Sequence, residues 1–407
     1  MSTSHHSHQH VLFFFQKSLR NLFWSSFLRQ SGFSLVDIFT FVYFYRLGIA
    51  NNFFSWFQLS NFQQGILTVV ADVLILRFIE LLVIFPMAQW ASKLGLPKAA
   101  IVGNFLMALR YGLLALSAKY PLLIFTAAII QGIELSVFSP AYDTMFAKRA
   151  SNSKVGRDVG AFTFILKLSY SLLPALAGGL IVTFGFGAAF FGAMIFFLLS
   201  NVPLFPMHWK ETLTSPNLSH FLSWCKRSAD FRVHAALVGR YVNDVGFELW
   251  PIYLILVFGK VERLGFLMSL SFFISLILVY FTGWYIDHSK RNMLFIVGGL
   301  LLSLFWILRI NMTLITMIIA IEIAQKLVES FFYPSFDALV YRISKRLDTF
   351  VFHVYKEVLT CIVSLIFWSV LGILFILYGA IWNWIFIFAA GGILVSTLLY
   401  TARYERS

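Results

Sequence analysis

The stretch QGIELSVFSPAYDTMFAK, Gln131–Lys148, is written a second time, loosely, as QKLVESFFYPSFDALVYR, Gln325–Arg342. Each copy runs from Gln through Glu, Phe, Pro and an aromatic residue to Asp and a closing base. Gln131 and Gln325, Pro140 and Pro334, and Asp143 and Asp337 all stand 194 residues apart. A repeat displaced by about half the chain implies two related halves. Both copies also place acids inside text apolar enough for lipid. That cost is tolerated where charges meet one another or a watery cavity.

Composition makes lipid the solvent. Of 407 residues, 59% are hydrophobic and 12% charged, and the mean hydropathy is +0.82. Soluble domains carry about 25% charged residues. A net charge of +13 would suit nucleic acid, but the bases are distributed as for a membrane surface and no nucleic-acid partner is expected. Cys225 and Cys361 form neither a disulfide nor a metal pattern, and no cofactor is expected. No cleavable signal peptide is evident. The N-terminus, with His5, His6, His8 and His10, reads as a disordered tail rather than a metal site. The Phe-rich text after it, with Lys17 and Arg20, reads as an interfacial helix.

A span needs about 20 apolar residues. Windows of that size give twelve, at roughly 24–47, 65–90, 98–118, 120–147, 157–182, 184–206, 234–258, 264–286, 292–311, 313–341, 349–378 and 381–402. Bases crowd the loops on one side, among them Lys93, Lys98, Lys148, Arg149, Lys226, Arg227, Arg342 and Arg346. The other side receives only Arg46, Lys119, Lys260, Arg263 and Arg309. Positive loops stay in the cytoplasm, which puts both termini there. The expected fold is therefore an all-α polytopic membrane protein with twelve transmembrane helices. Residues 1–23 form a tail and interfacial helix, 24–206 a six-helix bundle, 207–233 a cytoplasmic linker and 234–407 a second six-helix bundle.

The repeated stretches then fall in the fourth and tenth spans, equivalent positions of the two halves. Arg29 and Asp37 in the first span are matched by Arg240 and Glu248 in the seventh, with Asp244 between. Eight residues is a little over two turns, so each pair shares a helix face. Lys326 and Glu329 continue such a stripe in the tenth span.

This pattern resembles the major facilitator superfamily of secondary transporters over nearly the whole chain. The resemblance rests on the 6+6 layout, the long middle loop and short motifs. One is a loop motif of the type G-x-x-x-D-R-x-G-R-R, matched by Gly283, Asp287, Lys290 and Arg291 and eroded in its first copy, where Ser92 replaces the Asp. Another is Pro174, Gly178 and Gly179 in LPALAGG. The arginine that many proton-coupled members carry a turn before Gln-Gly is Ala128 here. The resemblance implies that the first, fourth, seventh and tenth spans line a central cavity, and that the loop-motif charges close a cytoplasmic gate.

The expected cavity residues are Glu134, Glu329, Asp37, Glu248, Asp244, Arg29, Arg240, Lys326, Gln131 and Gln325. Glu134 and Glu329 stand out because they sit mid-span within the repeated motif, and a carboxylate shielded from water can bind and release a proton near neutral pH. For Asp37 and Glu248, site and structural ion pair both stay open. Arg77–Glu80 and Lys356–Glu357 read equally as pairs that hold helices together. The expected cytoplasmic gate comprises Gly283, Asp287, Lys290, Arg291, Asp143 and Asp337.

The function expected is that of a secondary active transporter of a small solute by alternating access, with proton coupling one option and efflux or uptake both open, monomeric, in a prokaryotic cytoplasmic membrane. No nucleotide-binding loop is present, so ATP-driven pumping by this chain alone is not expected. A lipid or glycolipid flippase of the same fold remains a second reading, and a membrane scaffold or enzyme a third. Enzyme chemistry finds little support, because His288 and His353 are isolated.

Overall fold

The computed structural model describes the backbone of residues 19–150, 155–209, 211–227, 231–288, 291–312 and 314–401. Side chains are described there apart from 155–162, 165–166, 277–294 and 401. The N-terminal tail and most of the expected interfacial helix lie outside the described residues.

The described residues are helical without strands. In chain order the helices are α1 (Arg20–Asn51), α2 (Asn61–Leu94), α3 (Leu96–Leu116), α4 (Leu123–Arg149), α5 (Val155–Phe184), α6 (Phe186–Leu199), α7 (Leu218–Lys226), α8 (Phe231–Phe258), α9 (Val261–His288), α10 (Arg291–Leu308), α11 (Ile315–Arg346), α12 (Thr349–Tyr378) and α13 (Trp382–Ser396). Eight of them carry an apolar window long enough to cross a membrane, and Phe295–Asn311 is a shorter apolar helix. Each expected span overlaps one helix. Three last turns differ: the sixth, ninth and twelfth spans end in short 3-10 turns, at Val202–Leu204, Arg309–Asn311 and Thr397–Thr401.

Local chemistry sets several ends. Ser60 accepts from the Gln63 backbone while the Gln63 side chain accepts from the Ser60 backbone, a reciprocal cap that starts α2. Asp348 accepts from the Val351 N–H at the start of α12. Gly95, at φ 92°, turns α2 directly into α3, a conformation that a Cβ would disfavour.

Before α7, α4 packs on α2 and α3, and α1 on α2, α5 and α6. After it, α8 packs on α13, α10 on α11 and α13, and α9 on α11. The two sets meet along two seams, α5 with α9 and α2 with α12. In the first seam, a Cβ on Gly265 would lie 2.4 Å from the Pro174 carbonyl oxygen, so only glycine lets these backbones close up. The middle segment is not structureless. α7 buries Phe221 and Trp224 against Phe352 and Tyr355 at the base of α12.

Candidate functional site

Between the two sets of helices lies a cavity of about 570 Å³. α1 contributes Asp37, α2 Arg77, α3 Arg110 and Tyr111, α4 Gln131, and α5 Tyr170. From the other side come Arg240, Asp244, Glu248 and Trp250 of α8, Phe272 of α9, and Lys326, Glu329 and Tyr333 of α11. The i, i+4, i+8 spacing of the α8 charges puts them on one face. Four carboxylates and four bases share this wall with aromatic rings.

The charges differ in how far they are committed. Arg240 Nε donates to both Asp244 oxygens, at 2.9 and 3.0 Å, and the guanidinium lies 3.8 Å over the Tyr333 ring. Lys326 Nζ donates to Glu329 at 3.0 Å and stands 3.8 Å from Glu322. Arg77 donates to Glu80 at 2.8 Å. Among the described residues Asp37 accepts from the Tyr170 hydroxyl alone, at 2.9 Å, and is exposed to the cavity. Among the described residues, Glu248 has no hydrogen-bond or ion-pair partner. Arg110 is 4% exposed and bonds the Tyr111 hydroxyl and the Met107 sulfur, but no carboxylate among the described residues. The wall therefore offers uncommitted charge of both signs.

Lys167 of α5 crosses the α5–α9 seam. Its Nζ donates to Ser275 Oγ (2.9 Å), Ser330 Oγ (2.6 Å) and the Lys326 carbonyl (3.1 Å), tying α5 to α9 and α11.

The helix ends that carry the crowded bases are held together across the two sets. Asp143 of α4 accepts from Lys356 Nζ at 2.6 Å and from the Tyr341 hydroxyl at 3.1 Å, with His353 Nδ1 3.4 Å away. Lys345 donates to the Ala150 carbonyl, and the Phe146 ring meets Tyr341. Asp337 lies nearby without a hydrogen bond or ion pair among the described residues. Lys290 and the side chains of Gly283, Asp287 and Arg291 lie outside the described residues.

A sequence-family model described as Major Facilitator Superfamily matches residues 22–259. The chain belongs to this superfamily. No curated protein matches it in sequence. Among solved structures, the human organic anion transporter MFSD10 (TETRAN) superposes with a TM-score of 0.70 at 12% identity, covering 94% of this chain and 98% of the other. The transporter FucP in its outward conformation gives 0.67 at 14% identity, covering 95% and 98%. A variant of the E. coli fucose:proton symporter FucP gives 0.67 at 13%, with the same coverage. At these identities the likeness is one of fold.

Within this superfamily member the structure sorts the expected cavity residues. Asp37, Asp244, Glu248, Glu329, Arg240, Lys326 and Gln131 line the cavity; Glu134, Arg29 and Gln325 do not. Glu134 is fully buried and accepts from Arg29 at 2.7 Å, while Arg29 also donates to Asn104 at 2.8 Å and lies 3.5 Å over the Phe138 ring. This cluster rivets α1, α3 and α4 together away from the cavity. Gln325 is buried and donates to Glu329 at 3.1 Å.

Other residues depart from expectation. Arg309, read as a base of the outer loops, is 2% exposed, donates to Glu322 at 2.8 Å and is sandwiched by the Trp250 and Trp306 rings. Arg110 of α3 lines the cavity, although the resemblance implied a cavity lined by the first, fourth, seventh and tenth spans. Tyr170 and Tyr333 carried no signal beyond being polar aromatics in spans.

Proposed function

We propose that the chain is a secondary active transporter that moves a small polar solute by alternating access, coupled to protons. Twelve spans in two six-helix bundles, 24–206 and 234–407, would rock around the cavity, with both termini and the 207–233 linker on the cytoplasmic side. The observation that carries this reading is the cavity itself, lined from both sets of helices by four acids and four bases, of which Asp37, Glu248 and Arg110 lack an ion-pair partner among the described residues. Such balance favours a zwitterionic or polyhydroxyl solute over a strong anion. A charged solute would complete Glu248 or Arg110, which offsets the desolvation cost of an unpaired charge.

Asp37 and Glu248 are the cavity acids that no base holds, and they suit reversible protonation in a partly water-excluded site. FucP, a neighbour in fold, is described as a fucose:proton symporter. The joined ends at Asp143 serve as the cytoplasmic gate, with Asp337 and the loop residues Gly283, Asp287, Lys290 and Arg291 as its further members. The chain acts as a monomer.

Liposomes loaded with a pH-sensitive dye and offered pooled sugars, amino acids, amines and organic anions test the reading. Solute-dependent proton movement that Asp37→Asn, Glu248→Gln or Glu329→Gln abolishes supports it. Solute flux without proton movement removes the coupling. Solute flux unchanged in all three variants removes these acids from the site.

A flippase reading draws on one further observation. An apolar groove lined by Leu172, Leu176, Phe266 and Phe273 runs along the outside of the α5–α9 seam, next to the stacked Tyr170–Phe272 pair of the cavity wall. Transfer of a fluorescent lipid between leaflets, without small-solute flux, would favour it.

A further inference from the structure

α2 carries an acid that the cavity does not use. Val73, Leu76 and Arg77 line the cavity, but Asp72 beside them is 0% exposed and outside the lining. Neither of its carboxyl oxygens has a hydrogen-bond partner among the described residues, and no described base is paired with it.

Charged groups on α2 and on the helices packed against it are engaged elsewhere. On α1, Asp37 accepts from Tyr170 and Arg29 is bound to Glu134 of α4. On α2 itself, Arg77 and Glu80 hold each other. On α12, Lys356 is shared by Asp143 and Glu357, and His353 sits beside Asp143. Arg110 of α3 is the base whose field reaches Asp72, and Glu248 of α8 feels Asp72 from the other side. Arg110 nevertheless spends its guanidinium on Tyr111 and Met107 and leaves Nε unpartnered. Two buried groups of opposite sign, on adjacent helices, thus stand near each other without touching.

A carboxylate so placed loses its hydration and gains no donor in return, so the neutral acid is the form such a site holds. We propose that Asp72 is a proton-binding site, occupied in this conformation and emptied when α2 shifts against α3 so that Arg110 meets the carboxylate. On release the O–H bond breaks, the proton passes to water in the cavity, and the carboxylate pairs with the Arg110 guanidinium. The use of this site in transport rests on the proton-coupled reading above; its occupancy does not.

Infrared spectra of the full chain at neutral pH test the occupancy. The parent should show a protonated-carboxyl band that Asp72→Asn removes and Asp72→Glu restores at a shifted frequency. Asp72→Asn, whose amide imitates the neutral acid, should unfold no earlier than the parent, keep solute exchange and lose accumulation above equilibrium. Protonated-carboxyl intensity unchanged in Asp72→Asn, a variant that fails to fold, or accumulation equal to the parent overturns the assignment. Parent liposomes that exchange solute without moving protons would remove the coupled reading, and the infrared band would still decide the site.

Discussion

The two copies of the repeated stretch end up doing different things. In α4, Glu134 turns into the protein and is clamped by Arg29 and, through it, Asn104. In α11, Glu329 turns to the cavity and is held by Lys326 and Gln325 of its own helix. The Gln, Pro and Asp landmarks match in step, but the Glu stands three residues after Gln131 and four after Gln325. One residue is about 100° of helix rotation, enough to move a carboxylate from the packed face to the open one. Gly132 of α4 is answered in step by Lys326 of α11. A Cβ on Gly132 would lie 2.4 Å from the Leu76 carbonyl oxygen, so glycine lets α2 close over that part of α4. The lysine at the matching place instead fills part of the cavity wall. A duplicated motif thus serves as a rivet in one copy and as a cavity wall in the other.

The largest test of this contrast is Arg29→Ala. It leaves Glu134 buried without its base and should cost about 3–5 kcal/mol, read by unfolding in detergent. Arg240→Ala, in a half-exposed pair, should cost about 1 kcal/mol or less. Equal losses would break the comparison. Next comes Gly132→Ala, expected to cost about 1–3 kcal/mol through overpacking of α2 on α4; a neutral result would show that the close approach is not needed. On the gate, Lys356→Gln removes the base from Asp143 and should shift the conformational balance by about 1 kcal/mol, roughly fivefold. The readout is labelling of a cysteine placed at Gln131 from the side of the joined ends. The smallest stability effect is expected for Glu329→Gln, about 0.5 kcal/mol, the scale of a polar pair three or four residues apart on one helix. The same change should abolish solute-dependent proton movement. Unaltered transport would make Glu329 a second rivet.

Features governed by local rules were legible. Helix positions follow from apolar runs: each expected span overlaps a helix, and eight of those helices carry an apolar window long enough to cross a membrane. The Arg240, Asp244 and Glu248 stripe follows from helical period alone. Partners across the fold were not legible. Nothing in the neighbourhood of Glu134 points to Arg29, 105 positions away, rather than to Arg77 or Arg110. Arg309 was misplaced because a base near a span end reads equally as a loop charge and as a buried one. Only Glu322 with the Trp250 and Trp306 rings decides it. Lys167 acquires its role through the approach of α5 to α9 and α11, and Tyr170 through that of α5 to α1 and α9.

From its sequence alone this protein is a helical membrane chain with a duplicated plan and acids placed inside its spans. Composition, periodicity and repeat spacing are properties of the chain, and the bilayer acts on them span by span. Which of those acids faces a cavity, which is clamped and which stands alone was decided by tertiary structure. A buried charge is settled by groups within a few ångströms, and those groups come from helices far apart in the chain.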